Sequence, residues 1–438
     1  MKISIFTPTH SPEYITECYG SLLSQSYQDW EWVIVVNSND VDKNKKLIEN
    51  MFKHDERVFV TVAPDSCYSE GRANIGALKN FACGQCVGDY LLELDHDDML
   101  NHGALFDITQ TIKDTDADFI YSDFCNFHPD WSCQVFNPKF GWESYPFTYK
   151  GMNLIAMSAI NISPRALYQI HFAPNHVRVW KRSFYESIGG HDKSMLACDD
   201  HDLLCRTYIA DANMVHIPKP LYLYRLQPDG ANSYLEYNDY IQEVQQQLGN
   251  KYFYKMVDRW VDDQELLKID LGGAYNSPEG YLSVDMAGDV NIKCDVTKKI
   301  PLPDNSVGIV RAYDFLEHIS KEGYELEDAD DGSGKVLKKT NPFIDLMNEI
   351  HRVLAPNGWF MSATPMGGTR SYYSDPTHVT GITSDVFERF CIKERQFYNR
   401  DITAKFQDTW VRESGDYVFA DLMCLKGDRS KVAGECKI

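Results

Sequence analysis

GDYLLELDHDDML, residues 88–100, is the stretch that decides the fold of the first half of the chain. The apolar run 90–92 predicts a buried strand, and Asp95, Asp97 and Asp98 follow it, where we expect all three to reach solvent together. Carboxylates placed in this way suit a divalent cation that bridges two phosphates. Acidic loop residues are more often merely solvated, so the neighbouring segments must decide between these interpretations.

Strand and helix patterns alternate from residue 1 to about residue 125. Such alternation predicts an α/β fold with a parallel sheet, whose ligands bind at the carboxyl ends of the strands. Polar residues follow three predicted strands, at 7–10, 37–40 and 95–98, which strengthens the interpretation as a site. The predicted strands are 3–6, 30–36, 58–62 and 89–94, and the predicted helices are 13–24, 43–54 and 71–82.

Length and charge limit the classes of function. A chain of 438 residues predicts two domains, and 43 Lys and Arg against 64 Asp and Glu make it acidic. Binding to duplex nucleic acid is therefore disfavoured. The start lacks the features of a secretory signal, no stretch approaches the roughly 20 apolar residues of a membrane span, and the 12 Cys are scattered. We expect a soluble, cytoplasmic protein without an integral membrane segment.

Five segments of residues 1–235 resemble, in order, the inverting family-2 glycosyltransferases, which have the GT-A nucleotide-diphosphosugar-binding fold. The resemblance implies transfer from a nucleoside diphosphate sugar to a hydroxyl acceptor, for which we favour a glycan. It also implies that Thr7 and Pro8 contact the nucleotide and that Arg72 and Asn74 face the donor. The five segments are SIFTPT (4–9), EGRANIG (70–76), LDHDD (94–98), HD with CDDHDLLCR (191–192 and 198–206), and LYLYR (221–225).

The chemistry of sugar transfer gives these acidic residues roles. Charge grows on the leaving diphosphate, so Asp97 is expected to ligate Mn²⁺ or Mg²⁺, with Asp95 near the ribose or a metal-bound water. Inversion needs a base that takes the acceptor's proton, and the resemblance points to Asp200. A structural interpretation remains open for Asp199, Asp200 and Asp202, because carboxylates are also favoured at a helix start.

The chain departs from the family pattern at two places. Asn37-Ser38-Asn39-Asp40 replaces the frequent Asp-Asp-Gly-Ser, so the acidic nucleoside contact is either missing or moved to Asp40. Gln227 stands where a histidine metal ligand is common. On the acceptor side we expect one or two aromatic residues to stack on sugar rings, although such residues are as often core. The candidates are Trp131, Trp142, Tyr145, Phe147, Tyr149 and Trp180.

A second alternating pattern fills residues 262–438. KIDLGG (268–273) joins a strand to a glycine turn, and YLSVD (281–285) ends a second strand in an acid. With AYDFLEHI (312–319) and MNEIHRVLAPNG (347–358), the segment resembles the class I S-adenosylmethionine-dependent methyltransferases, which have a Rossmann-like fold. The resemblance implies that S-adenosylmethionine is bound by Gly272 and Gly273 at its methionine part, by Asp285 at the ribose and by Asp295 at the adenine.

Two further segments of this half stand out. SDPTHV (374–379) resembles a pocket-facing segment of the same family, which makes Asp375 and His378 a candidate substrate-side pair. His318 and His351 are alternative bases, although a histidine on an amphipathic helix is more often structural. The charged, glycine-containing stretch 322–339 predicts a mobile loop.

The sequence therefore predicts an α/β protein of two domains, a glycosyltransferase at 1–235 and a methyltransferase-like domain at 262–438, joined by a helical connector at 236–261. The second domain would methylate the product of the first. One alternative is a glycosyltransferase for a modified nucleobase or a protein side chain, with the second domain as a non-catalytic scaffold. Another is a carbohydrate-binding or assembly protein that has lost catalysis.

Overall fold

The computed structural model describes residues 1–69, 71–138, 141–170, 172–227, 237–328, 334–391 and 401–427. The chain divides into two compact units, Met1–Met256 and Val257–Arg429. Among the described residues, no helix combines the length and the apolar character that crossing a bilayer would require.

The described part of the N-terminal unit is built on an 11-stranded mixed sheet whose main path runs β10-β11-β8-β12-β6-β1-β2-β3. Strands β1, β2, β3 and β6 are mutually parallel, so their carboxyl ends lie at one edge. The strands are β1 (Ile3–Thr9), β2 (Trp30–Val36), β3 (Val58–Val62), β4 (Tyr68–Ser69), β5 (Arg72–Ala73), β6 (Tyr90–Glu93), β7 (Met99–Leu100), β8 (Phe119–Phe127), β9 (Cys133–Gln134), β10 (Ser144–Tyr149), β11 (Met152–Met157), β12 (Arg178–Lys181) and β13 (Met214–Arg225).

Helices cover both faces of this sheet. Successive residues of a strand point to opposite faces, and in β2 Trp32 and Ile34 enter one apolar cluster while Val33 and Val35 enter the other. The double coverage explains why β2 is apolar along nearly its whole length. The helices are α1 (Ile15–Leu23), α2 (Val41–Phe52), α3 (Ile75–Gln85), α4 (Ala104–Thr115), α5 (Pro164–Gln169), α6 (Arg182–Ser187), α7 (Asp199–Ile209) and α8 (Asn238–Asp263).

The start of α3 differs from the predicted helix over 71–82. Strands β4 and β5 form a short hairpin first, and the helix begins at Ile75. Asn74 caps it, since its side chain accepts a hydrogen bond from the Ala77 N–H at 3.2 Å. The cap satisfies an amide that would otherwise lack a partner and fixes the end of the hairpin against the helix.

The C-terminal unit contains a seven-stranded sheet in the order β16-β15-β14-β17-β20-β22-β21. Neighbours from β16 to β20 are parallel, and β22 runs antiparallel to both β20 and β21. The strands are β14 (Leu267–Leu271), β15 (Leu282–Asp285), β16 (Ile292–Lys293), β17 (Val307–Tyr313), β18 (Gly323–Asp328), β19 (Lys335–Thr340), β20 (Leu354–Pro365), β21 (Phe406–Ser414) and β22 (Tyr417–Cys424). The helices are α9 (Pro342–Val353), α10 (Arg370–Ser374) and α11 (Ser384–Cys391).

The prediction of a loop over 322–339 is wrong for the described part of that stretch. Strands β18 and β19 form an antiparallel hairpin, in which Leu326 lies opposite Leu337. Lys339 pairs with Glu322 at 2.7 Å, so opposite charges also align across the two strands. Cross-strand pairs of this kind stabilise a hairpin despite its charged composition.

Candidate active site

A cavity of about 700 Å³ opens in the N-terminal unit at the carboxyl edge of the parallel strands. Loops that follow β1, β2 and β6 supply one part of its wall, and the start of α7 supplies another. The loops at the carboxyl ends of these strands are the expected position of a ligand site on a parallel sheet. The polar lining residues include Asn37, Lys79, Asp95, Asp97, Arg178 and Asp200.

Asp97 lines the cavity and is held from the end of β13. Its Oδ2 accepts a hydrogen bond from Gln227 Nε2 at 2.7 Å, and its backbone oxygen accepts one from Arg225 Nε at 2.7 Å. Arg225 is itself fixed, because its Nη2 lies 2.8 Å from Glu17 Oε2 and its guanidinium stacks on Tyr14. The carboxylate of Asp97 is thus presented to the cavity from a braced loop.

Asp98 does not reach solvent, contrary to the expectation for all three acids. Its side chain is only 1% exposed; Oδ1 accepts from the Arg225 N–H at 2.6 Å and Oδ2 accepts from Tyr222 Oη at 2.8 Å. Burial raises the pKa of Asp98 well above its ordinary value, and the nearby charges of Asp97 and Asp95 raise it further. Asp98 therefore fastens the loop to β13.

Asp95 lines the cavity beside His176. Its Oδ2 lies 3.9 Å from His176 Nε2, and its backbone N–H donates to Tyr222 Oη at 3.1 Å. Burial raises the pKa of Asp95 to about 7, although Lys79 opposes the rise. Burial also lowers the pKa of His176 to about 3, and Arg178 adds to this effect, so the imidazole is neutral.

Two buried cations neutralise the acids behind the cavity wall. Lys79, on α3, forms an ion pair with Glu93 and lies 3.8 Å from Asp199 Oδ2. Arg178, at the start of β12, places Nη1 2.5 Å from Asp200 Oδ2 and 3.7 Å from Glu93 Oε2. Burial pushes the pKa of Glu93 upward, but Lys79, Arg178 and other neighbouring groups together outweigh burial and hold that pKa at about 2. Glu93 is thus ionised within a network of two cations and three carboxylates.

Asp200 is the acid of α7 that keeps an exposed part toward the cavity, with a side chain 23% exposed. Burial pushes its pKa upward, but Arg178 and Lys79 outweigh burial and hold the pKa well below its ordinary value. Asp199 is buried with Oδ2 2.7 Å from His191 Nδ1, and Asp202 is buried and accepts from Tyr252 Oη at 2.7 Å. Of the three, Asp200 alone combines exposure with a paired guanidinium.

Of the other predicted donor residues, Pro8 lines the cavity and the rest are not among its lining residues. Thr7 is fully buried, donates to the Leu94 oxygen at 2.6 Å and accepts from Trp32 Nε1 at 2.8 Å. Asn74 is the cap of α3 described above. Arg72 and Asp40 are exposed and are not among the lining residues, and Glu70 lies outside the described residues.

Asn37 lines the cavity in place of Asp40. Its Oδ1 is buried and has no hydrogen-bond partner among the described residues. A buried carbonyl oxygen without a partner is costly, so a ligand's N–H or O–H group is a natural occupant of that position. The sequence analysis favoured Asp40 as the contact residue of the polar loop 37–40. Asn37, which directly follows β2, is the residue of this loop that lines the cavity.

Aromatic residues of the cavity also differ from the expected ones. Phe136 and Phe172 line it, with ring centroids 5.6 Å apart. None of the six aromatic candidates of the sequence analysis is among the lining residues; Trp180, for example, is fully buried and packs on Phe119. Tyr14 and Tyr224 are further aromatic residues of the wall.

In the C-terminal unit, the predicted cofactor residues lie at the carboxyl ends of neighbouring strands. Gly272 follows β14 with φ +75°, and a Cβ there would lie 2.4 Å from the Phe315 ring, so a side chain is excluded on both counts. A Cβ on Gly273 would meet Ser277 Oγ at 2.1 Å. Asp285 ends β15.

Asp295 lies near the end of β16. Its Oδ1 accepts hydrogen bonds from the N–H and the hydroxyl of Thr297, at 3.0 and 2.7 Å. These bonds leave Oδ2 of the same carboxylate for another donor. The glycine turn and the two acids therefore surround the same edge of the sheet, which is the position of ligands in open parallel sheets.

Comparison with known proteins gives a family for part of the N-terminal unit: residues 4–168 match the model "Glycosyl transferase family 2". The O-antigen biosynthesis protein RfbC of Myxococcus xanthus is 26% identical over 50% of this chain and 15% of its own length. The poly(ribitol-phosphate) beta-N-acetylglucosaminyltransferase TarS of Staphylococcus aureus is 30% identical over 27% of this chain and 20% of its own. The chain thus spans a fifth or less of these relatives.

Among solved structures, TarS 1-349 of Staphylococcus aureus in complex with UDP-GlcNAc is similar, with 19% identity and a TM-score of 0.39. The match covers 52% of this chain and 59% of that one. The family match covers residues 4–168, which belong to the mixed α/β fold of the N-terminal unit.

Proposed function

We propose that the N-terminal unit transfers a sugar from a nucleoside diphosphate sugar to a hydroxyl acceptor, with inversion at the anomeric carbon. The observation that carries this proposal is that Asp97 and Asp200 face one cavity from different elements. The family match over residues 4–168 supports the same reaction class. TarS is named as a beta-N-acetylglucosaminyltransferase, and a beta linkage is what inversion yields from an alpha-linked donor.

The carboxylates of Asp97 and Asp95 fit a hard divalent cation, Mn²⁺ or Mg²⁺. Both line the cavity, and oxygen ligands on one side of such an ion leave its other positions for phosphate oxygens and water. When bound, the ion supplies positive charge that stabilises the leaving diphosphate. The Gln227 amide holds Asp97 Oδ2 from behind, which limits the motion of that carboxylate.

Asp200 is the proposed base. Arg178 keeps it ionised and fixes the direction of Oδ2, so that the carboxylate accepts the proton of the acceptor hydroxyl as its oxygen attacks the anomeric carbon. A pKa far below neutrality makes Asp200 a weak base. We therefore infer that it acts only in concert with bond formation, when the hydroxyl has become acidic.

Asn37 and the aromatic wall would select the ligands. The unpartnered Oδ1 of Asn37 suits an N–H or O–H group of the nucleoside, and the faces of Phe136 and Phe172 suit the apolar face of an acceptor sugar. A glycan acceptor agrees with this wall. A modified nucleobase or a protein side chain is the alternative acceptor.

The family assignment of the C-terminal unit is a further proposal. Its sheet is parallel except for β22, inserted antiparallel between β20 and β21, and Gly272, Asp285 and Asp295 lie at one edge. These features support binding of S-adenosylmethionine and methylation of the transferase product; a non-catalytic scaffold is the alternative. Calorimetry with S-adenosylmethionine tests it: binding should weaken at least tenfold in Asp285→Ala and stay unchanged in Glu279→Ala.

Sugar transfer is tested by screening nucleotide sugars in thermal melts with Mn²⁺ or with EDTA, because a ligand of the native state raises its melting temperature. The correct donor should stabilise the wild-type protein only with Mn²⁺, and donor hydrolysis should follow the same dependence. Asp97→Ala should lose both effects, while Asp116→Asn, a surface acid paired with Lys181, should keep them. Equal stabilisation and hydrolysis with EDTA would reject the metal role.

A further inference from the structure

A second cluster of potential metal ligands lies in the C-terminal unit, and it includes His318 and His378, which the sequence indicated as a possible base and as part of a substrate-side pair. Glu317 and His318 belong to a short 3-10 helix, Leu316–His318, just after β17, and His378 lies between α10 and α11. One potential ligand atom from each residue lies within 4.8 Å of the others. Two imidazoles and a carboxylate at this separation are a common donor set for transition metals.

Glu317 gives an independent reason to expect a ligand. Its side chain is fully buried, and neither carboxylate oxygen has a hydrogen-bond partner among the described residues. His378 Nε2 lies 3.8 Å from Glu317 Oε1, which is too far for a hydrogen bond. Burying a carboxylate without a partner is strongly unfavourable, and a cation between these atoms would remove that cost.

His378 is oriented toward the same point. Its Nδ1 lies 2.7 Å from the backbone oxygen of Tyr372, which only accepts, so Nδ1 carries the proton and Nε2 offers its lone pair toward Glu317. Histidine metal ligands are held in this way by a carbonyl or carboxylate behind the ring. The N–H groups of Val379 and Thr380 donate to the backbone oxygen of Glu317 at 2.9 and 3.0 Å, which fixes the two segments together.

The remaining ligands come from either side of this pair. The His318 and His378 rings meet edge-on with centroids 4.9 Å apart, and His318 Nδ1 lies 3.1 Å from Thr377 Oγ1, which favours Nε2 as its ligand atom. Asp375 Oδ2 lies 3.9 Å from His378 Nε2, while Oδ1 accepts from Thr377. Three donors, two nitrogens and one oxygen, therefore lie within 4.8 Å of one another, and the Asp375 carboxylate lies beside His378.

We propose that Glu317, His318 and His378, with Asp375 as a fourth ligand, bind a divalent transition-metal ion of the zinc class. Ligand bonds of 2.0–2.1 Å in a tetrahedron imply ligand separations of about 3.3 Å. The observed separations of 3.8 and 3.9 Å approach this value. Imidazole donors favour zinc over magnesium or calcium, which prefer oxygen. The ion would offer a Lewis acid for a hydroxyl or carboxylate group at the carboxyl edge of β17.

Zinc binding to the metal-stripped full chain tests this proposal. Every protein carries Asp97→Ala, so that the N-terminal carboxylates contribute as little as possible to the titration. We expect one Zn²⁺ to bind by calorimetry, with at least tenfold weaker binding in His318→Ala and in Glu317→Gln. His318 is exposed, so its removal should leave the fold intact, which circular dichroism checks. Co²⁺ should give the visible absorption of a tetrahedral site with nitrogen ligands.

Glu322→Gln is the matched control, because Glu322 is an exposed carboxylate of the same unit that pairs with Lys339. It should bind Zn²⁺ as tightly as its parent. Equal Zn²⁺ affinity in the parent, His318→Ala and Glu317→Gln would overturn the proposal. The absence of zinc binding in the parent protein would also overturn it. Neither outcome bears on sugar transfer in the N-terminal unit.

Discussion

Arg178 Nη1 lies 2.5 Å from Asp200 Oδ2, and this buried ion pair joins the first residue of β12 to the first turn of α7 at the cavity wall. Arg178 Nε also donates to the Pro174 oxygen at 3.0 Å, so the guanidinium is held in one orientation. The pair keeps Asp200 ionised and directed, at the expense of its basicity. The ion pair should therefore affect both the rate of sugar transfer and the pH dependence of that rate, and the two effects can be measured separately.

Arg178→Lys should change the pH dependence of transfer. A lysine is a point charge that cannot hold both Asp200 and the Pro174 oxygen, so the carboxylate loses its fixed guanidinium contact and its pKa rises toward the ordinary value. In the wild type Asp200 stays ionised as the pH falls; in the variant it gains a proton sooner. The acidic limb of kcat/KM should therefore move to higher pH, and superimposable pH profiles would contradict this role.

Asp97 and Asp98 are adjacent acids whose removal should lower the free energy of unfolding by different amounts. Asp98→Ala leaves the Tyr222 hydroxyl and the Arg225 N–H without their acceptor, which should lower the free energy of unfolding by about 2–4 kcal/mol. Asp97→Ala should cost less than about 1 kcal/mol, since it removes one of several crowded charges. Urea unfolding of both variants measures this difference. Equal losses of unfolding free energy would contradict the structural role given to Asp98 and the ligand-facing role given to Asp97.

Lys79 and Glu93 should be strongly coupled. Removal of the ammonium in Lys79→Met leaves a carboxylate that is 1% exposed without its main counter-ion, which should cost about 3–5 kcal/mol of unfolding free energy. The double variant Lys79→Met, Glu93→Gln removes both charges and should recover part of that loss. Additive effects in a double-mutant cycle would argue against the pairing.

Asp55 should make the stability of the N-terminal unit depend on acid pH. Hydrogen bonds from Arg57 outweigh burial and hold the pKa of Asp55 at about 2, against an ordinary value of 3.8. The unfolded chain therefore binds more protons in this range. The stabilisation is complete above about pH 4 and is lost as the pH falls toward 2.

The comparison variant for this effect is Asp55→Asn. It should be less stable than the wild type by about 1–2 kcal/mol at pH 7, and the gap should close by pH 2. Thermal melts from pH 2 to pH 7 measure it. If the stability difference between the wild type and Asp55→Asn stays constant with pH, the charge of Asp55 does not stabilise the folded unit.

Sequence reasoning located the strands and the acidic loops for a physical reason. Strands β2 and β3 have the predicted bounds, because a run of β-branched and aromatic residues is a local property of the sequence. Asp95 and Asp97 follow β6 and Pro8 lies at the end of β1, two strands of a parallel sheet whose carboxyl ends meet at one edge. The alternation of strands and helices in the sequence was therefore enough to predict that these residues share one cavity.

Long-range packing decided what the sequence could not. Lys79 lies within α3 and Arg178 starts β12, and nothing local indicates that they neutralise Glu93 and Asp200. The inward turn of Asp98 depends on Tyr222, more than 120 residues away along the chain. In each case the partner comes from another element, so only the folded chain determines which polar residue is structural and which faces the cavity.

The most direct measurement of the central claim is the rate of sugar transfer by Asp200→Asn, with the donor identified in the screen and saturating Mn²⁺. The amide keeps the size of the carboxylate and removes its ability to take a proton, so the rate should fall at least 100-fold while donor binding stays within a few-fold. Asp116→Asn should transfer at the wild-type rate. Transfer by Asp200→Asn at a rate near that of the wild type would contradict the assignment of this residue as the base.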